Sequence, residues 1–448
     1  MSRRVGVILL VAAFLAAGTP ASAADISFIR DAEIENTIRA YATPLFAAAG
    51  LEESAVRVYI VRDQALNAFV AGGMNLFVNT GLLMASKSAN QLIGVIAHET
   101  GHIAGGHLAR TQDALRGASA ATILATVLGA AAVVAGAPDA GLAIIGGGQK
   151  LAQSAVLKYS RVQEQAADQF ALSVLDRTGQ SAQGLAEFFG VLGDQEALLA
   201  TSQDPYVRTH PLTRERIRAV EEHVRHSPHS AKPDAPIFSD MHRRMVAKLR
   251  GFIDPPARTF DRYPQSDTSI EARYARAVAH YRVPDIEPAL AESDSLIRDE
   301  PNNPYFHELK GQILFENGRI VEAAAAYGLA VERLPSSALL RIGLAHPLIE
   351  TGLPENIECA IGHLEKAVQT EPKNARAWRL LSIAYGRNDQ LGLSTLASAE
   401  NAMLTGRFAD AEQMAKRAAK LLPEGSPGWL QAEDLARTAK RTLEKRGK

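Results

Sequence analysis

The sequence predicts a mainly α protein: an α+β domain with a small β-sheet and a His-Glu-x-x-His helix, followed by an α-solenoid of short repeats. Three observations carry this reading. Apolar residues at helical spacing dominate the chain. One short β-branched, alternating stretch, Val56 to Arg62, interrupts them. In the second half Pro301, Pro335, Pro372 and Pro423 recur at intervals of 34, 37 and 51 residues, close to the period of tetratricopeptide units.

At 448 residues and 47% hydrophobic composition, the chain is long enough for two or three cored domains. A net charge of −1, with no cluster of basic and aromatic residues, excludes a phosphate-tracking surface and argues against nucleic acid as a partner. Residues 1–23 read as an export signal: Arg3 and Arg4, an apolar run from Val5 to Ala17, then Ala21-Ser22-Ala23, with cleavage expected after Ala23. Cys359 is the single cysteine, so no intrachain disulfide can form. It is expected as a buried packing residue.

Residues 25–55 read as helices, with Ile29, Ile34, Ile38, Tyr41 and Leu45 at helical spacing. Val56 to Arg62 and Asn67 to Asn79, closed by the turn Thr80-Gly81, predict a small sheet just before the next helix. That helix runs through Gln91 to His107 and contains His98-Glu99-Thr100-Gly101-His102. Four residues advance about 400°, so the two imidazoles share one face and can grip a single zinc ion. Glu99 then stands beside the metal, where a carboxylate takes a proton from water and passes it to a leaving amine. A hydrolytic zinc site takes a third protein ligand, and Glu164 on a downstream helix is expected to supply it. Asp168, one turn on, is expected to accept the free N–H of a ligating histidine. His107 is read as non-ligating, because five residues beyond His102 a continuing helix turns it about 140° away.

The strand near Met74 to Val78 is the expected sheet edge for holding an extended peptide by main-chain hydrogen bonds. Residues 117–148 are almost entirely Ala, Gly, Leu, Ile and Val, and read as a helical hairpin over the site, able to act as a lid or to touch a membrane surface. Further on, Pro211 holds His210 in an extended approach to a helix. There it can cap the helix or, reaching the cleft, hydrogen-bond an oxyanion. Arg216 is a second candidate for an oxyanion or a substrate carboxylate, whereas Arg214 is expected to face solvent. The expected domains are 24–226 around the histidine helix, 227–265 as a linker with one helix, and 266–448 as repeats ending in a capping helix. Gly318, Ala323, Tyr327, Ala330 and Pro335 sit at tetratricopeptide positions, and extra helix is expected at Leu393 to Ala402. Such repeats leave a concave surface that binds protein segments.

Three ordered motifs, His98-Glu99-Thr100-Gly101-His102, Ser160-Arg161 with Glu164 and Ala167-Asp168, and Thr209-His210-Pro211, resemble the zinc metallopeptidases that include HtpX and the CAAX prenyl protease. Among these the chain is most similar to exported, periplasmic members ending in tetratricopeptide repeats. The resemblance implies one zinc ion held by His98, His102 and Glu164. It also implies proteolysis of misfolded or stalled outer-membrane proteins, docking near the β-barrel assembly machinery, and a His210 that occupies zinc's open position in the resting state. A chaperone or assembly adaptor with a latent protease site is the alternative.

Overall fold

The computed structural model describes residues 27–107, 161–193, 206 and 209–446. The expected export signal and the apolar 117–148 segment lie outside them. Among the described residues no helix is long and apolar enough to cross a membrane.

The described residues open with a strand, β1 (Phe28–Ile29), where helix was expected, and then enter α1 (Ala32–Ala48). The Asp31 carboxylate caps α1 by accepting the Glu33 and Ile34 amides. Ile34, Ile38, Tyr41 and Leu45 form its buried face. Three more strands follow: β2 (Arg57–Val61), β3 (Ala68–Ala71) and β4 (Asn75–Asn79). They join β1 in a sheet of order β1-β2-β4-β3. β3 and β4 are antiparallel across Gly72 and Gly73, whose φ of 58° and 99° suits glycine, while β2 and β4 are parallel. This corrects the expected substrate edge. The strand holding Leu76 to Val78 pairs on both sides, and the outer strand on that flank is β3.

After α2 (Thr80–Ala85) comes α3 (Ala89–Ala104), the histidine helix, with Ser88 as its N-cap. Almost every residue from Ala89 to Gly101 is buried, so this helix runs through the core. Its glycines set the depth of packing. A Cβ on Gly94 would lie 2.8 Å from Leu185 Cβ, and one on Gly101 would lie 2.8 Å from the Ala167 carbonyl oxygen. Gly94 thus admits α5 (Gln183–Gly193), and Gly101 admits α4, residues 161–177. A further helix, α6 (Arg214–His226), starts from the N-cap Thr213.

The segment expected as a linker contains α7 (Pro236–Ile253) and α8 (Pro256–Arg262). α7 is shared between two cores: Met245 and Leu249 enter the first, and Phe252 packs on Tyr274 and its neighbours in the second. The proline- and charge-rich composition that suggested a linker surrounds a helix that is apolar on two sides.

Antiparallel pairs follow: α9 (Ile270–Arg282) with α10 (Ile286–Asp299), α11 (Pro304–Glu316) with α12 (Ile320–Arg333), α13 (Ala338–Glu350) with α14 (Pro354–Thr370), and α15 (Ala375–Arg387) with α16 (Leu391–Leu404). Tyr327 interlocks three of these helices, since a Cβ on Gly311 or Gly343 would come within 2.7 or 2.6 Å of its ring. The helix at Leu393 to Ala402 is the regular partner of α15; the additional one in the 51-residue interval is α17 (Phe408–Leu421), followed by α18 (Pro427–Arg446). Cys359 is exposed, correcting its expected burial. It sits one position before the buried Ala360 on α14 and so falls off the packed face.

The two halves dock through charge. Lys248 Nζ lies 2.8 Å from Asp31, 3.6 Å from Glu33 and 3.7 Å from Glu308. Glu33 also accepts from Tyr274 at 2.7 Å and from Arg244 at 3.2 Å.

Candidate metal centre

Helical spacing places His98 and His102 one turn apart on α3, and the close approach at Gly101 brings Glu164 of α4 against both. His98 Nε2 and His102 Nε2 are 3.1 Å apart. Glu164 Oε2 lies 3.2 Å from the first, and Glu164 Oε1 lies 3.4 Å from the second. His210 Nδ1 completes the group, 3.3 Å from His98 Nε2 and 3.2 Å from Glu164 Oε2. These four buried residues each offer a donor atom within 4.8 Å of the others. A tetrahedron with zinc-to-donor arms of about 2.0–2.1 Å has edges of roughly 3.3 Å, which these separations match. The donor set therefore fits a small tetrahedral cation, with His210 at the fourth corner.

Outer contacts hold the inner ones in place. Asp168 Oδ1 lies 2.8 Å from His98 Nδ1, a distance at which it accepts that N–H and would leave Nε2 to face an ion as a lone-pair donor. Arg216 is almost fully buried. Its Nε and Nη2 donate to Asp168 at 2.6 and 2.9 Å, and its Nη1 lies 3.0 Å from Glu164 Oε2 and 2.8 Å from the Pro211 carbonyl oxygen. Expected beside an oxyanion or substrate carboxylate, Arg216 instead meets the protein's own carboxylates. Arg214 is exposed, as expected.

His210 is positioned by Tyr206, whose carbonyl accepts the His210 amide at 2.7 Å and whose ring stacks on the imidazole at a centroid distance of 4.7 Å. Nothing in the spacing of Asp204 to His210 signalled that stacking partner. Glu99 is fully buried and 3.4 Å from His210 Nε2, and neither of its oxygens accepts a hydrogen bond. Its oxygens are thus free to take part in proton transfer.

The electrostatics call for positive charge. Burial opposes a charged His98, yet the Asp168 and Glu164 carboxylates raise its pKa to about 10. Burial together with the nearby His98 charge pushes His102 down to about 2. Glu164 is held well below its ordinary value despite burial, because His210 and His98 face it. Burial raises Glu99, making it a stronger base than a surface glutamate. On their own the carboxylates favour a protonated His98, and a bound cation would supply that positive charge in its place.

A buried His-His-Glu donor set beside a buried carboxylate is an arrangement that a metallopeptidase could use. Residues 29–224 match Peptidase family M48, so this segment carries an M48 peptidase domain. Over 388 residues the chain is 26% identical to the putative beta-barrel assembly-enhancing protease of Vibrio cholerae, covering 85% of this chain and 79% of that one. It is 23% identical over 416 residues to the beta-barrel assembly-enhancing protease of Escherichia coli K12, covering 89% and 81%. It is also 29% identical over 168 residues to the metalloprotease LoiP of the same organism, covering 38% and 62%.

Proposed function

We propose that the chain is an exported zinc endopeptidase acting on envelope proteins, with His98, His102 and Glu164 as ligands. The convergence of these three residues beside an unpartnered Glu99 carries the reading. A zinc ion held by these residues would supply Lewis-acid chemistry, lowering the pKa of a bound water and polarising a peptide carbonyl. Glu99 receives the proton from the attacking water and returns it to the leaving amine, so one carboxylate serves as base and then acid. Asp168 fixes the His98 ring, and Arg216 holds Asp168 and Glu164 in register. With its donors engaged there, Arg216 is a positioning residue in this scheme.

The names carried by similar proteins support outer-membrane protein assembly or quality control as the setting, with misassembled outer-membrane proteins as substrates. The repeats supply a surface for substrate or for the β-barrel assembly machinery. The export signal at residues 1–23 supports a periplasmic location. A mature protein beginning at Ala24, read by N-terminal mass spectrometry, checks that step.

Metal analysis with casein cleavage tests the chemistry. Glu99→Gln should retain zinc while losing a factor of about 10²–10⁴ in turnover. A variant that cleaves like the wild type removes Glu99 from the mechanism. The second reading, an adaptor with a latent protease site, is favoured by His210, whose Nε2 lies 3.4 Å from Glu99 and whose Nδ1 lies 3.2 Å from Glu164 Oε2, where it would compete with water for the fourth corner. An envelope phenotype unaffected by Glu99→Gln supports it.

A further inference from the structure

His107 lies outside the proposed ligand set, yet it is buried against it. α3 ends at Ala104, Gly105 caps it, and Gly106 takes φ 61°, a left-handed turn that glycine accommodates. The turn swings His107 back to the helix it has just left. Its Nδ1 lies 3.0 Å from His102 Nδ1, with the rings at 80°. The imidazole folds over Gly105, where a Cβ would come within 2.4 Å of His107 Nε2. The His107 carbonyl accepts the Gln163 side-chain amide at 3.1 Å, and Gln163 immediately precedes Glu164 on α4. His107 therefore touches a proposed ligand with its ring and the helix of another with its backbone.

We propose that His107 is a positioning residue of the metal centre: its Nδ1 accepts the Nδ1–H of His102, leaving His102 Nε2 as a lone-pair donor aimed at the ion. The inference rests on the ligand set proposed above. It gives the second histidine what Asp168 gives the first. A ligand imidazole that carries hydrogen on Nε2, or that rotates, cannot bind, so the outer acceptor selects both tautomer and ring orientation. Gln163 adds registry between the helices, because any slip of α4 that moved Glu164 would strain the hydrogen bond to the His107 carbonyl.

The test compares zinc affinity in the whole chain after metal is stripped and restored, using competition with a chromophoric chelator and the visible spectrum of the cobalt form. Asn at 107 places Oδ1 where the histidine has Nδ1, so His107→Asn should bind zinc close to the wild type. His107→Leu fills the space without an acceptor, and His107→Gln moves its oxygen one bond too far. Both should bind about 10–100-fold more weakly and shift the cobalt bands. If His107→Leu does not fold by far-ultraviolet circular dichroism, the Asn and Gln variants decide. Equal affinity of Asn, Gln and the wild type overturns the proposal. A wild-type chain that takes up no zinc overturns the ligand set itself, a result separate from equal affinities among variants.

Discussion

Single residues at the centre are poised against one another, and His210 is the most exposed to test. It stands at the fourth corner of the donor set and 3.4 Å from Glu99. If it blocks entry there, His210→Ala should raise casein cleavage, because the metal face opens while Glu99 keeps its place. If it serves the oxyanion, the same change should lower turnover by about 10²–10³. A rate unchanged in either direction assigns His210 no part in the reaction. The two His-Glu-x-x-His imidazoles were readable from the sequence because the helix period alone aligns them. Glu164 was readable only as a candidate, since a separation of many residues does not specify distance. The commitment of Arg216 to Asp168 and Glu164 was not readable, because the sequence does not say which of several carboxylates a guanidinium will meet.

Elements fix the distances between these residues. α3 and α4 approach closely only because position 101 has no side chain. Gly101→Ala, with its Cβ 2.8 Å from the Ala167 carbonyl, should cost about 1–3 kcal/mol by overpacking. It should also weaken zinc binding as Glu164 is pushed away. Urea unfolding and chelator competition read the two effects, and an alanine variant matching the wild type in both denies the close packing any role. On α7, His242 lies 2.8 Å from the Ser86 hydroxyl. Burial, with the Arg243 charge, lowers it from 6.5 to about 4. Its neutral form is the folded one, so its contribution is complete above pH 6.5 and is lost as the pH falls from there to about 4. His242→Gln should remove about 3 kcal/mol of that acid-side loss. Stability curves of the two proteins that stay parallel between pH 7 and 4 contradict it. The substrate edge was misplaced at this scale. Alternation identifies a strand and its faces but not its neighbours, and the parallel pairing of β2 with β4 moved the edge to β3.

Across the whole molecule, the peptidase domain and the repeats share α7 and a buried ionic cluster. Lys248 is almost inaccessible among Asp31, Glu33 and Glu308. Lys248→Met would leave those carboxylates facing one another and should cost about 3–5 kcal/mol. The loss should appear as a lower urea midpoint seen by probes in both halves. A change confined to one half, or a loss below about 1 kcal/mol, shows that they fold as separate units. Truncation within α7 is a poor test of the repeats, because Met245 and Leu249 belong to the first core.

Local and periodic features were settled by the sequence: helix after helix, the repeat punctuation with Tyr327 as its wedge, and two imidazoles on one face. These depend on spacings of two to about forty residues, within which covalent geometry limits what the chain can do. Tertiary structure decided the outward turn of Cys359, the interior place of β4, the double-sided burial of α7 and the return of His107 to His102. Each depends on which distant surface comes to lie opposite, and that is set by packing the whole chain at once.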